Sequence, residues 1–155
     1  MFNKILTAFL IRHSLLSSVQ KLGKNNLKPT IANTKDKFLV IYLFTPGCPH
    51  CRQFKTIWDS ATAQFNNPNF LFFQSNGSKL DPQFLEENNV DGFPELLVFY
   101  NGSRQELKSG KWQNSEKKLI KSLENIANRK LNNKGGVKAD GKGKQQVNKS
   151  LLLTG

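Results

Sequence analysis

The sequence predicts an α/β fold, a central mixed β-sheet flanked by helices, and three observations predict it. Seven consecutive apolar residues, Phe38–Phe44, read as a strand covered on both faces. Just beyond them Phe54, Ile57, Trp58, Ala61 and Phe65 recur at the spacing of one helical face. Strand and helix patterns then go on alternating and finish with a hairpin and a last helix, the order of a parallel core with an antiparallel edge. A chain of 155 residues with twelve phenylalanines and two tryptophans has bulk for one domain with a real core.

Taken in order, the first strand ends at Thr45-Pro46-Gly47 and the first helix of the core starts at or near Cys48. Asn66 to Asn69, with Pro68 inside, is a turn, and residues 69–74 form a second strand parallel to the first. Asn76-Gly77-Ser78 breaks that strand. Asp81 caps a short helix that has Pro82 at its first position, Phe84 and Leu85 facing inward, and Glu86 and Glu87 in solvent. Adjacent carboxylates on a helix face different directions, so the glutamate pair is a solvated turn and not an acid and base. Residues 95–100 form the third strand. Asn101-Gly102 signals a hairpin to residues 104–107, and Trp112 packs under the last helix. Ser115 caps that helix, which buries Leu119, Ile120, Leu123, Ile126 and Ala127 and exposes Lys117, Lys118, Lys121 and Glu124.

The only two cysteines, Cys48 and Cys51, stand where strand gives way to helix. Cysteines three apart on a first helical turn share a face and are close enough for a disulfide. Unpaired backbone N–H groups and the helix dipole favour a thiolate at Cys48, and protonated His50 and Arg52 add positive charge. Cys48 is therefore the candidate nucleophile, and Cys51 the thiol that releases a mixed disulfide by attacking it. A stabilised thiolate also makes the disulfide easier to reduce, which favours oxidising power. A zinc site would need four ligands, or three and water. Beyond the pair the chain offers only His13 and His50 as soft ligands, so neither metal nor organic cofactor is expected.

The run Thr45-Pro46-Gly47-Cys48-Pro49-His50-Cys51-Arg52, followed by Val90-Asp91-Gly92-Phe93-Pro94-Glu95 and an apolar strand, resembles the thioredoxin superfamily. Within it the run is most similar to the catalytic domains of protein disulfide isomerases. The resemblance covers about residues 36 to 128 and implies a three-layer sandwich around a mixed sheet. It implies a cis proline at Pro94 beside the cysteines, with the neighbouring backbone at Gly92 and Phe93 pairing with an extended substrate. The Pro49-His50 dipeptide is similar to that of bacterial periplasmic disulfide oxidants. Three positions depart from the pattern: Gly47 stands where the family commonly has tryptophan, Tyr42 where it has a buried acid, and Glu95 where threonine often follows the proline. Without the acid, help in deprotonating Cys51 is in doubt, and the charge of Glu95, if it came near Cys48, would raise that thiol's pKa.

The net charge of +12 is segregated. Residues 1–37 and 129–155 each carry seven basic residues and one acidic, while residues 38–128 carry nine of each. The high pI therefore says nothing of a basic surface on the domain. Residues 1–20 contain no acid and form an amphipathic pattern, with Phe2, Ile5, Leu6, Phe9 and Leu16 on one side, which resembles a mitochondrial presequence. A secretory signal, and an extension retained in a cytoplasmic protein, are the rival readings. Residues 21–35 read as a basic linker or a poorly formed strand, residues 36–128 as the domain, and residues 129–155 as a disordered basic tail. The tails are expected to touch anionic surfaces weakly at most, with no specific nucleic acid.

The expected function is that of a monomeric thiol–disulfide oxidoreductase that exchanges disulfides with cysteines of protein substrates, served by an unidentified redox partner. The alternative is a module that keeps the fold and holds peptides beside Pro94 with little or no redox activity.

Overall fold

The strand expected at the centre lies there because its seven apolar side chains can be buried on both faces at once. The computed structural model describes residues 18–107 and 112–134. Within them β1 (Gln20–Lys21), β2 (Phe38–Phe44), β3 (Phe70–Asn76), β4 (Glu95–Tyr100) and β5 (Ser103–Gln105) form one sheet in the order β1-β3-β2-β4-β5. β1 and β2 run parallel to β3, whereas β4 runs antiparallel to β2 and to β5. The helices are α1 (Lys24–Asn33), α2 (Pro49–Gln64), α3 (Pro82–Glu87) and α4 (Glu116–Lys134).

Alternation along the strands divides the core in two. Phe38, Val40, Tyr42, Phe70, Phe72, Leu96 and Val98 face α2 and α4, where they meet Phe54, Trp58, Trp112, Leu119, Leu123 and Ile126. Leu39, Ile41, Leu43, Phe73, Leu97 and Phe99 face the other way, against Leu22, Leu27, Ile31, Leu80 and Phe84. Rings dominate the first layer: Trp58 stands edge-on to Phe72 at 5.7 Å, and Phe54 edge-on to Trp112 at 5.1 Å. Such pairs add about 0.5–1.5 kcal/mol each beyond the area they bury.

Local signals set the boundaries. Asn101 and Gly102 both have positive φ, 50° and 77°, which a tight hairpin between twisted strands requires. The Asp81 carboxylate accepts the Gln83 N–H at 3.1 Å and caps α3, with Pro82 in the first turn. The Ser115 hydroxyl accepts the Lys118 N–H at 3.3 Å at the start of α4. Trp112, 5% exposed, lies under the last helix as expected.

Two segments differ from their sequence reading. Residues 21–35, expected as a linker or weak strand, hold the end of β1 and the whole of α1. Leu22, Leu27 and Ile31 are buried there, and the last two, four apart on one helical face, pack α1 onto the sheet despite its polar composition. Lys28 then reaches Asp81 of the α3 cap at 3.3 Å. Residues 129–134, expected as the start of a basic tail, belong instead to α4, which continues to Lys134, and Arg129 donates to the Glu106 carbonyl at 3.3 Å. Most of the amphipathic N-terminal segment and residues 135–155 lie outside the described residues. None of the described helices is long and apolar enough to cross a membrane.

Candidate active site

At the carboxyl end of β2 the chain turns through Pro46 and Gly47, whose φ of 79° suits a residue without a side chain. The Cys48 N–H bonds back to the Thr45 carbonyl at 3.4 Å, closing the turn. Cys48 is the N-cap of α2, and its Sγ accepts the Cys51 backbone N–H at 3.2 Å, a place usually taken by a serine or aspartate oxygen. Pro49 occupies the first turn, where its missing N–H has no intrahelical partner to lose. Cys48 and Cys51 are joined as a disulfide, with their Cα atoms 5.2 Å apart. Cys51 is 4% exposed, whereas Cys48 is half-buried and Pro49 and His50 lie open to solvent. The two sulfurs thus differ in access: an incoming group meets Cys48 first.

The second wall comes from the loop that enters β4. The Phe93–Pro94 peptide bond is cis, and the Phe93 carbonyl oxygen lies 3.7 Å from Cys48 Sγ. Between this loop and α2 opens a cleft of about 620 Å³, lined by His50, Phe54 and Ile57 on one side and by Asp91 to Glu95 on the other. Gly92, Phe93, Pro94 and His50, singled out from the sequence, come together here. Pro49 shapes the helix start and is absent from the cleft lining.

Tyr42, in the position where the resemblance leads one to expect an acid, is buried under α2 and donates from its hydroxyl to the Cys51 carbonyl at 2.9 Å. Burial, and secondarily the charge of Asp59, push its pKa up to about 12, so it remains a donor through the neutral range. Glu95 is half-buried and accepts the Leu96 N–H at 2.8 Å. Burial raises its carboxyl above the usual range, against the opposing pull of that hydrogen bond and of Arg104, while Asp91 adds to the rise. Among the described residues no three His, Cys, Asp or Glu side chains gather as a ligand set.

One contributor escaped the sequence reading. Gly77, at the end of β3, was read as a strand breaker, yet it is buried, and a β-carbon there would overlap the Phe93 ring. Its signal, a glycine just past the strand next to the one that leads to the cysteines, means nothing until the sheet order is known. Asp91, to which no sequence pattern gives a role, and Glu95, marked only as a departure from the family pattern, both line the cleft opposite His50.

A family model described as Thioredoxin matches residues 18–125. A protein disulfide isomerase-like protein of Oryza sativa subsp. japonica, designated 2-3, is 28% identical over 90 residues, 58% of this chain and 20% of the rice protein. Another of Arabidopsis thaliana, designated 1-1, is 28% identical over 89 residues, 56% of this chain and 17% of its own length. The aligned region is thus about a fifth of these relatives. In fold, the chain is similar to the first thioredoxin domain of mouse protein disulfide-isomerase A4, with a TM-score of 0.59, 15% identity, and coverage of 83% of this chain and 82% of that one. Spinach chloroplast thioredoxin F in its short form gives 0.59 and 15%, covering 73% and 96%.

Proposed function

Since the chain belongs to the thioredoxin family, we propose that it is a thiol–disulfide oxidoreductase acting on cysteines of protein substrates. Cys48 is the sulfur that exchanges with substrate and Cys51 the one that resolves. In the oxidising direction a substrate thiolate attacks Cys48 Sγ, and the Cys48–Cys51 bond breaks as a substrate–Cys48 disulfide forms. Cys51 leaves as a thiolate and takes up a proton. A second substrate thiolate attacks the first substrate sulfur, releasing Cys48 as a thiolate and completing the substrate disulfide. Two electrons have passed to the protein, and a redox partner bearing a disulfide or another thiol oxidant removes them. The reverse sequence reduces a substrate disulfide.

The observation that carries this reading is the placement of Cys48 Sγ on the Cys51 N–H at the open end of a sixteen-residue helix, half-exposed while its partner is covered. That N–H and the helix dipole lower the cost of the anion that each exchange step forms. The Phe93 carbonyl lies 3.7 Å from the sulfur, which supports the reading that substrate backbone pairs along Gly92, Phe93 and Pro94.

An insulin-reduction assay with dithiothreitol tests the assignment. Cys48→Ala should abolish catalysis, and Cys51→Ala should leave a mixed disulfide on Cys48 that persists after removal of reductant. Full activity in Cys48→Ala would overturn the roles.

A second reading, a peptide-binding module with weak redox activity, is favoured by Tyr42, which occupies the place of a proton-accepting acid with a group that only donates there. It requires peptide affinity indifferent to replacing both sulfurs.

A further inference from the structure

Five of the eleven acidic residues fall between Asp81 and Glu95, and no lysine or arginine occurs from Leu80 to Ser103. In a protein of net charge +12 this is a segment of one sign set against the whole. The fold makes it one wall of the cleft. Asp81 is engaged by Lys28 at 3.3 Å, Glu87 accepts the Gln83 side-chain amide at 2.8 Å on the outer face of α3, and Glu86 stands exposed on the same helix. Asp91 and Glu95 remain, and both line the cleft beside the cysteines. Among the described lining residues only His50, on the opposite wall, can carry positive charge. Asp91 is exposed, with no ion pair among the described residues.

Arg104 opposes part of this field. It faces Glu95 from β5, but its guanidinium is committed to the Leu96 and Gln105 carbonyls at 3.4 and 3.3 Å and lies over the Phe99 ring. Glu95 is therefore partly compensated, and Asp91 supplies the larger free charge. Phe54 and Ile57 on the His50 side and Phe93 on the other add apolar lining to the cleft.

Building on the oxidoreductase reading, we propose that this cleft selects polypeptide segments carrying lysine or arginine next to the reacting cysteine, with Asp91 and Glu95 as the selecting residues. An extended segment lying along Gly92 to Pro94 brings the side chains flanking its cysteine over those carboxylates, while the stems of lysine or arginine cover the apolar lining. A unit charge pair ~7 Å apart in water changes a rate about threefold, and two such pairs about tenfold. The basic tails favour anionic peptides, so a cationic preference cannot arise from net charge.

The test uses the full chain in its disulfide form and three blocked peptides of equal length. Each contains one cysteine, flanked by lysine, serine or glutamate. Loss of peptide thiol is followed under pseudo-first-order conditions, and each rate is divided by that of the same peptide with hydroxyethyl disulfide, which removes the thiol's own reactivity. At 0.1 M salt screening roughly halves each pair, which leaves roughly threefold between the lysine and serine peptides and roughly tenfold between the lysine and glutamate peptides. The ratio should fall toward unity at 1 M salt, where screening acts over about 3 Å, and should fall or invert in Asp91→Lys and in the Asp91→Asn, Glu95→Gln double variant. Equal normalised rates for wild type at 0.1 M would overturn the proposal while leaving the oxidoreductase reading intact, as would a cationic preference unchanged in the double variant. Oxidation of no peptide at all would overturn that reading and this one with it. The salt dependence of the wild type decides the matter even if a variant fails to fold.

Discussion

Gly77→Ala is a one-carbon change outside the recognised motif that should disturb both stability and the site. The backbone of Gly77 needs no positive φ, so the substitution meets no conformational penalty and would otherwise stabilise by about 0.4–1 kcal/mol through the unfolded chain. Instead, the new methyl would sit inside the van der Waals space of the Phe93 ring. Phe93 packs against the core layer that holds Leu43, Leu80 and Leu97, so its ring must move by roughly 1 Å or the strand end must yield. Overpacking of this kind costs about 1–3 kcal/mol, an expected loss of roughly 5–10 °C in Tm. Because the Phe93 carbonyl lies 3.7 Å from Cys48 Sγ, exchange with a peptide substrate should slow more than exchange with a small disulfide, which makes no use of the cleft. Thermal unfolding and the two exchange rates are measured in Gly77→Ala, in Phe93→Ala and in the double variant. Removing the ring should rescue much of the loss, giving a coupling of about 1 kcal/mol or more. An unchanged Tm in Gly77→Ala, or a loss undiminished in the Phe93→Ala background, would refute the contact as the cause.

The other predictions concern groups whose environment differs from water. Tyr42→Phe should lower stability by about 1 kcal/mol in urea unfolding at neutral pH, since it removes the hydroxyl donated to the Cys51 carbonyl. The folded-state pKa of Tyr42, about 12, lies above the 10.0 of a free tyrosine, so the unfolded chain loses its proton first. Wild-type stability should therefore fall as pH climbs from 10 toward 12, and the phenylalanine variant should lack that component. Glu95 also has a raised folded-state pKa, so its charge works against folding at neutral pH. Glu95→Gln keeps an oxygen for the Leu96 N–H and should gain stability at pH 7, less whatever Arg104 loses, with the gain shrinking as pH falls to 4.5, where a free glutamate takes up its proton. Gly102→Ala places a side chain at φ 77° in the hairpin turn and should cost about 1–2 kcal/mol by thermal unfolding.

How much of this was legible in the sequence follows from the range over which each feature is encoded. β2 declares itself in seven adjacent residues and α2 in a repeating face, while α3 and β4 are bounded by Asp81-Pro82 and Asn101-Gly102, signals within two residues of the boundaries they set. The disulfide pair is encoded in a spacing of three. By contrast α1 has only Leu27 and Ile31 as buried anchors among ten mostly polar residues, and that pattern becomes a helix only when a sheet is present to receive it.

The site follows the same rule over longer distances. Residues that follow β2 and β3 lie at one end of the sheet because the two strands are parallel, with Phe44 opposite Asn76. The residues that precede β4 reach that same end because β4 is antiparallel, with Leu43 opposite Glu95. Cys48, Gly77 and Pro94 are neighbours through strand direction and register, neither of which is written in any one of the three segments. A shift of one residue between β2 and β4 would turn Leu96 and Val98 out of one core layer and carry Phe93 away from Gly77. Burial of both faces of the sheet therefore fixes the register, and the register places Phe93 against Gly77 and its carbonyl beside Cys48.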